Sequence, residues 1–517
     1  MFEGLRAALR RRVVTGEYEL RISAVMVTAR AQQVTRSTSR FPHARVQQAL
    51  SGDAGIEGVH WMVSGRALRG AVRKTLAGML STPSDLGPLV LRRTKFKPGR
   101  KLTAYYDVDL SAHGVRARSM AVTWQPEGTH NLSQLSETET GLEAEALGSG
   151  VAAPFSRLGA IDPHLGMKVL IAPLDGAFPQ LVRVSNPVHV GSRLPRMIDE
   201  YGLQEAPNVQ VTAVRYRPGQ RHVLRYDYAH LDGRSPSSGT LFAKLYSDGE
   251  DVAAFRVASS IADWVSSSTE AASIRPSAHL AEDGLVVYPK LSGVPLSQYS
   301  AVRAARPLAQ AGAVLHELQK APVELFEDVR PHSFSKEVRA VARAGEHVEP
   351  LLPAAGAALD RILARVSAME AEIEVDPPVL AHGDYKADHV WVGGRGITLI
   401  DFNTCSLADP ALDVGKFLAD LHWWYSGVGE DSLLSAQRSF LDGYGAMTPT
   451  RLLRARLYEV LILAKLTVRR VRLFDRRWAE KTEGLLQRAE RLAGDLEKAV
   501  SASSTGRAGP NTRARRE

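Results

Sequence analysis

The spacing of apolar residues changes character once along this chain, near residue 298. Before that point Val211–Tyr216, Arg221–Tyr228, Thr240–Tyr246 and Gly284–Pro289 alternate apolar with polar side chains, the pattern of half-buried strands. After it Leu308–Leu318, Leu433–Leu441 and Leu452–Val471 place apolar residues at i, i+3 and i+4, the pattern of helices with one buried face. Strands gathered before helices, rather than alternating with them, predict an α+β chain. Four regions are expected: an N-terminal α+β domain over 1–195, a β-rich unit over 196–297, a helical unit over 298–500 and a tail over 501–517. The tail is rich in Ser, Gly and Arg without apolar anchors and is expected to be disordered. Ser136–Gly150, acidic and rich in small residues, reads as a loop or linker.

The first two β-containing regions share a pattern. Residues 96–107 (FKPGRKLTAYYD) precede residues 216–227 (YRPGQRHVLRYD) by 120 positions. An aromatic, a base, Pro-Gly, a base and Tyr-Asp fall in register. Strand-like runs follow at Ser119–Gln125 and Thr240–Tyr246, and Leu170–Gly176 resembles Val286–Gly293. Either the first region is a degenerate repeat of the second, or two Pro-Gly hairpins look alike by chance. Without a gap, Lys244 falls opposite Trp124, so the two copies differ chemically.

Composition removes several classes. The 517 residues carry a net charge of +9, but no nucleic-acid recognition motif accompanies it, so nucleic acid is an unfavoured partner. Four arginines against one glutamate after residue 500 supply a net +3 of that charge. No apolar stretch approaches the ~18 residues of a membrane span, and the N-terminus lacks the pattern of a secretory signal. The single cysteine, Cys405, excludes an internal disulfide and fits a reducing, cytoplasmic setting. It reads as a small buried hydrophobe rather than a nucleophile.

The most specific string is His382-Gly383-Asp384-Tyr385-Lys386-Ala387-Asp388-His389, with Asp401 twelve residues on. Val390–Val392 and Ile397–Ile400 read as two short strands around a Gly393-Gly394 turn. Such a hairpin brings Asp384 and Asp401 to the same end. Two carboxylates held that way suit phosphoryl transfer, one orienting and deprotonating a hydroxyl, the other holding a metal on the phosphates.

This string, with Ile400-Asp401-Phe402-Asn403 and residues 408–415 (ADPALDVG), resembles the aminoglycoside phosphotransferase and choline kinase superfamily. The resemblance covers roughly residues 196–490 and includes residues 311–319 (AGAVLHELQ). It implies a protein-kinase-like two-lobe fold, with a β-rich small lobe, a helical large lobe and an extra N-terminal domain. It implies a kinase that moves the γ-phosphoryl group of ATP, or alternatively GTP, to a hydroxyl of a sugar, an aminoglycoside or another natural product, with Mg²⁺. By the same resemblance Asp384 matches the catalytic base, Asp401 the magnesium-binding aspartate and Lys244 the strand lysine on the α/β-phosphates. Residues 284–293 match the last strand and the hinge, placing Pro289 beside the adenine. His382 is expected to position the loop through the backbone around Asp401.

Three features depart from the family. His389 stands where asparagine is usual; imidazole suits softer metals than Mg²⁺, so it would hold the metal, or a phosphate oxygen or metal-bound water, or serve a merely structural role. No Gly-rich phosphate loop is present, and the turn Pro218–His222 stands in its place, with Arg221 facing phosphate or the turn serving as a plain hairpin. No glutamate stands out as partner to Lys244; Glu250 and Glu270 are the options. Asp409-Pro410 reads as a turn and Asp413 as a helix cap or a tie on the catalytic loop, with contact to metal or substrate the alternative for both aspartates; Trp423–Tyr425 reads as a core stripe or an acceptor wall. Arginines over 451–477 read as a solvated helix face. The basic surroundings favour a neutral or anionic acceptor. A Ser/Thr peptide acceptor, a homo-oligomer and a non-catalytic binding module stand as alternatives.

Overall fold

Two antiparallel sheets of the same strand order organise the first half of the molecule. The computed structural model describes residues 42–507, apart from 83–85, 111–114, 129–133, 199–207, 233–234, 248, 269–270, 301–302 and 395. The chain enters through α1 (Pro42–Ser51), α2 (Gly55–Ser64) and α3 (Arg66–Ala77). The first sheet comprises β1 (Leu89–Lys97), β2 (Lys101–Leu110), β3 (Val115–Trp124), then, after α4 (Glu137–Gly148), β4 (Gly159–Asp162) and β5 (Met167–Ile171), ordered β1-β2-β3-β5-β4. Short α5 (Gln180–Val184) and α6 (Pro187–Arg193) lead to the second sheet. There β6 (Asn208–Arg215), β7 (His222–Asp232) and β8 (Ser235–Leu245) precede α7 (Glu250–Ser268) and β9 (Ala272–Ser273). With β10 (Ala278–Leu280) and β11 (Leu285–Pro289), the order is β6-β7-β8-β11-β10.

The likeness reaches the turns. Gly99 and Gly219 adopt φ of 66° and 70°, a region glycine enters freely. Each turn closes with the same backbone bond, Arg100 N–H to Lys97 O and Gln220 N–H to Arg217 O. The register departs from the ungapped reading by one residue. Leu102 pairs with Trp124, whereas its counterpart His222 pairs with Leu245. Lys244 lies opposite Val223, and the matching pair in the first sheet is Thr103 with Thr123. Thr123, not Trp124, therefore occupies the lysine position, and its hydroxyl is 3.1 Å from that of Thr103. Trp124 points to the other face, fully buried, because successive side chains alternate across a strand.

The first sheet packs on α1–α3 in a core that includes Leu50, Met62, Leu76, Leu102, Val122 and Trp124. A second core, holding Tyr105 and Ala121 of the first sheet with Leu224, Tyr226, Leu241 and Ala243 of the second, joins the two. Polar ties lie beside it: Tyr216 OH donates to Leu174 O at 2.5 Å, and Asp175 accepts from Gly219 N–H at 2.8 Å and lies 2.7 Å from His222 Nε2.

After β12 (Val294–Pro295) come α8 (Ala305–Gln319), α9 (Phe334–Gly345), α10 (Val348–Leu351) and α11 (Pro353–Glu370). The segment around Asp384 and Asp401 follows as β13 (Val379–Ala381), β14 (Val390–Gly393), β15 (Gly396–Leu399) and β16 (Ser406–Ala408). The expected hairpin is present, Val390 pairing with Leu399. β9 adds to it in parallel, Thr398 opposite Ala272. Helices α12 (Ala411–Trp424), α13 (Glu430–Tyr444), α14 (Pro449–Arg469) and α15 (Trp478–Arg507) complete the core of the helical half. No helix among the described residues is long and apolar enough to cross a membrane.

Three expectations are corrected. Ser136–Gly150 is helical rather than a linker: Ser136 Oγ accepts from Glu139 N–H, the Glu139 carboxylate accepts from Ser136 N–H, and Leu142 and Ala146 are buried. This reciprocal cap satisfies two backbone donors at the helix start. Helix α15 runs through Ser501 to Arg507, into the segment expected to be disordered; residues 508–517 lie outside the described residues. The arginines of 451–477 are not all solvated. Arg454 is 1% exposed and bonds Asp409 and Ile373 O, while Arg470 bridges Asp388 and Asp420.

Candidate functional site

Asp384 and Asp401 reach one site because the β14–β15 hairpin returns the chain to the level of β13. Burial works against ionisation of Asp384, but Lys386 and His389 outweigh it and hold its carboxyl below the usual range. Lys386 Nζ lies 2.5 Å from Asp384 Oδ2. At Asp401 burial is likewise outweighed, chiefly by Lys244 and then His389, leaving the carboxyl well below the usual range. Asp401 has φ of 69°, the one positive value outside glycine among the described residues. Such a conformation costs energy, tolerated best by short polar side chains, and here it turns the carboxylate toward β8. Lys244 Nζ donates to its Oδ1 at 3.0 Å, and Asn403 Nδ2 donates to the same oxygen. Glu250 starts α7 and has no pairing with Lys244 among the described residues, and Glu270 lies outside them.

His389 stands between the two carboxylates. Its Nδ1 is 3.0 Å from the backbone carbonyl of Asp384, and its Nε2 is 3.5 Å from Asp401 Oδ2. Burial, then Lys386, pushes its pKa down, favouring the neutral ring. A neutral ring that donates Nδ1–H to that carbonyl presents the Nε2 lone pair to Asp401 Oδ2. Two acceptors facing each other at this spacing are what a cation between them would satisfy. Asp401 supplies the hard oxygen that Mg²⁺ takes from a protein when substrate phosphates and water complete its shell, so the donor set fits the ion. No cluster of three or more His, Cys, Asp and Glu side chains suited to a metal occurs among the described residues.

The loop is held by groups on other elements. His382 Nε2 lies 3.0 Å from Ile400 O, as expected for a positioning residue. Asp413, fully buried on α12, accepts from His382 N–H at 2.6 Å and Gly383 N–H at 2.9 Å. Lys416 Nζ donates to Gly383 O. Asp420 accepts from Ala387 N–H at 3.0 Å. Arg470 links Asp388 Oδ2 and Asp420 Oδ1, each at 2.5 Å. Sequence reading missed Lys416, Asp420 and Arg470. The first two follow Asp413 at helical spacing, which was a usable signal; Arg470 offered none.

Two further residues were expected on the nucleotide side. Pro289 ends β11, opposite Leu241. Arg221 is half-buried at the end of its turn, close enough to Tyr246 to act on that hydroxyl by charge. The turn's Gly219 N–H is taken by Asp175 of the first half, so it serves docking of the N-terminal sheet. Tyr246, whose hydroxyl donates to Asn403 Oδ1 at 2.5 Å, connects the second sheet to the Asp401 loop. Cys405 is a partly buried neighbour of the core whose thiol is pushed up by burial.

Residues 231–452 match the family model described as phosphotransferase enzyme family. This segment of the chain belongs to that family. No curated protein matches by sequence. Among solved structures, a choline/ethanolamine kinase family protein from Mesorhizobium loti is 16% identical, covering 54% of this chain and 88% of its own, with a TM-score of 0.37. Macrolide 2′-phosphotransferase from Brachybacterium faecium is 15% identical, covering 58% and 97%, TM-score 0.37. An aminoglycoside phosphotransferase from Streptomyces rimosus, in complex with ADP and streptomycin, is 17% identical, covering 52% and 96%, TM-score 0.34.

Proposed function

We propose that this protein transfers the γ-phosphoryl group of ATP to a hydroxyl of a small molecule. The observation that carries this reading is the pair of ionised carboxylates, Asp384 and Asp401, set on either side of His389, with Lys244 on the second. Asp384 would accept a hydrogen bond from the acceptor hydroxyl. Because its pKa is held low, its main contribution is orientation, with the proton passing to it late, as the O–P bond forms and the bond to ADP breaks. Lys244 would exchange its contact with Asp401 for the α- and β-phosphate oxygens, Arg221 would approach the phosphates, and β11 through Pro289 would flank the base. Asp401, with His389 beside it, would hold Mg²⁺, which supplies positive charge between the phosphates. His382, Asp413 and Lys416 fix the loop that carries Asp384.

In this reading residues 196–297 and 298–500 are the two lobes of a kinase-like fold, and 1–195 contains a degenerate copy of the small lobe. GTP is the alternative donor. The lone cysteine, Cys405, suits a cytoplasmic setting. The test is incubation with ATP, Mg²⁺ and a panel of hydroxyl compounds, reading transfer by mass. Asp384→Asn should lower turnover by roughly 10²–10⁴-fold while ADP affinity holds. Equal turnover in that variant removes the assignment, transfer to Ser/Thr peptides alone replaces the acceptor class, and binding without transfer makes the chain a non-catalytic module.

A further inference from the structure

A cavity of about 940 Å³ lies where the β1–β2 hairpin, the end of β6, the end of α9 and the segment after α14 meet. Eleven lysine and arginine side chains line it, against the carboxylates of Asp107 and Glu346. Those two carboxylates are spent on Arg92 and Arg100. Arg470 is spent on Asp388 and Asp420. Among the described residues no carboxylate pairs with Arg93, Lys95, Arg215, Arg217, Arg469 or Arg472. Strand alternation shapes this wall: Arg93 and Lys95 are only half-buried, while Thr94 and Phe96, which alternate with them along β1 and also border the cavity, are buried.

Such a grouping is costly for an empty site. Burial and then the charges of Arg93 and Arg469 push Lys95 down to about 8, and burial with Arg93 and Arg215 pushes Arg217 down to about 10. Like charges held together in partly buried positions destabilise the fold unless an anion joins them. The volume lies at the upper end of the roughly 300–1,000 Å³ of small-molecule sites.

Two residues of its wall connect to the Asp384–Asp401 site. The charge of Asp401 acts on Arg215. Arg470, on the cavity wall, holds Asp388 in the loop that carries Asp384. Trp423 adds an aromatic surface.

We propose that this cavity binds the acceptor, and that the acceptor is a small polyanion, carrying two or more phosphate, sulfate or carboxylate groups beside the hydroxyl that is phosphorylated. This rests on the kinase reading and names its substrate class. The anionic groups would sit on Arg93, Lys95, Arg217 and Arg472, supplied by both halves of the molecule, with the hydroxyl directed to Asp384. The N-terminal sheet is then part of the acceptor site.

The test uses the full chain saturated with ADP, titrated calorimetrically with tripolyphosphate at low and raised ionic strength. Saturable binding that weakens with salt and falls by about tenfold or more in Arg93→Glu/Lys95→Glu is expected, since removed phosphate contacts weaken binding in proportion. Relief of repulsion should leave the denaturation midpoint of that variant equal or raised; Arg93→Gln/Lys95→Gln provides the milder change. No binding, or equal binding in both variants, overturns the proposal. So does tighter binding of a single-stranded oligonucleotide through the same residues, which would make the partner nucleic acid. In the transfer assay, bisphosphorylated sugars with a free hydroxyl should be phosphorylated and neutral sugars or aminoglycosides should not. Transfer to neutral or cationic acceptors that charge reversal leaves unchanged overturns the acceptor class while the kinase stands. Tripolyphosphate binding that depends on Arg93 and Lys95, with no transfer to any acceptor, keeps the anion site and removes the kinase reading.

Discussion

Replacing Asp413 by Asn tests whether the His382–His389 loop is held by a buried carboxylate or by its own sequence. Asp413 is 0% exposed, and its two oxygens accept from His382 N–H at 2.6 Å and Gly383 N–H at 2.9 Å. Asparagine keeps one acceptor and turns an amide NH₂ toward the other N–H. One charge-assisted bond, about 1.5–3 kcal/mol, is lost, and a buried N–H is left unpaired at ~1–3 kcal/mol. Removing the carboxylate also removes its burial penalty, which pushes the Asp413 pKa up, so the net loss of stability should be about 2 kcal/mol. The backbone has little freedom to compensate. Gly383 sits at φ of 76°, its missing Cβ would strike the Thr404 carbonyl, and Lys416 Nζ still holds its oxygen. The remaining strain should displace the loop and with it Asp384, lowering turnover by roughly 10²-fold, as expected for an ångström-scale misplacement. Urea denaturation reads the first number and phosphate transfer under single-turnover conditions reads the second. A variant within about 0.5 kcal/mol and threefold of the parent on both counts would refute the reasoning.

Arg454→Met should destabilise the fold by about 3–5 kcal/mol in urea denaturation, because it strands the Asp409 carboxylate in the core; Arg454→Met/Asp409→Asn should recover most of that. Gly443→Ala should cost roughly 1–3 kcal/mol, since the added methyl lands on the Ala309 carbonyl where α8 and α13 cross; an unchanged midpoint would show that the helices can part. His347 is buried and its pKa is depressed by burial from 6.5 to about 4. The unfolded chain therefore binds a proton that the folded one refuses, and stability should fall as pH drops from 6.5 toward 4, by ~3 kcal/mol at 1.36 kcal/mol per pH unit. His347→Gln should flatten that limb in denaturation curves measured between pH 4 and 7.

What the sequence made legible was local. The strands of the second sheet, the helices at 305–319, 430–444 and 449–469, and the Asp384–Asp401 hairpin were read from spacing within a short window. Their placement follows from periodicity and turn residues alone. The missed helix at 137–148 had its signal in plain view, Ser136 and Glu139 in capping spacing, hidden by a composition that suggested a linker. The Lys244 correspondence failed for a different reason. The second copy is one residue longer between its paired strands, and a one-residue slip moves a side chain to the opposite face, so Thr123 and not Trp124 stands at the lysine position. Asp401 as the partner of Lys244, and Arg470 as the tie on Asp388, join segments far apart in the chain. No local pattern encodes such contacts.

The two sheets show why the same topology can carry chemistry once and electrostatics once. In the second, Lys244 projects from the third strand and its ammonium is free to trade Asp401 for phosphate, since each contact is a single charge-assisted bond. In the first, the equivalent Thr123 is bonded to Thr103, and the nearest cation, Lys168 on the adjacent strand, is held by both oxygens of the buried Glu139 at 2.7 Å. A nucleotide would have to break that closed pair and leave a carboxylate buried without a partner, which costs several kcal/mol. The first sheet is therefore expected not to bind nucleotide, and a nucleotide analogue lodged against it would overturn this. Its β1 edge instead carries Arg93 and Lys95 without carboxylate partners among the described residues, and these face the cavity shared with Arg217 and Arg472. Among the described residues, cationic side chains without carboxylate partners gather at this cavity, and such a field draws in an anionic ligand and repels a polycationic one.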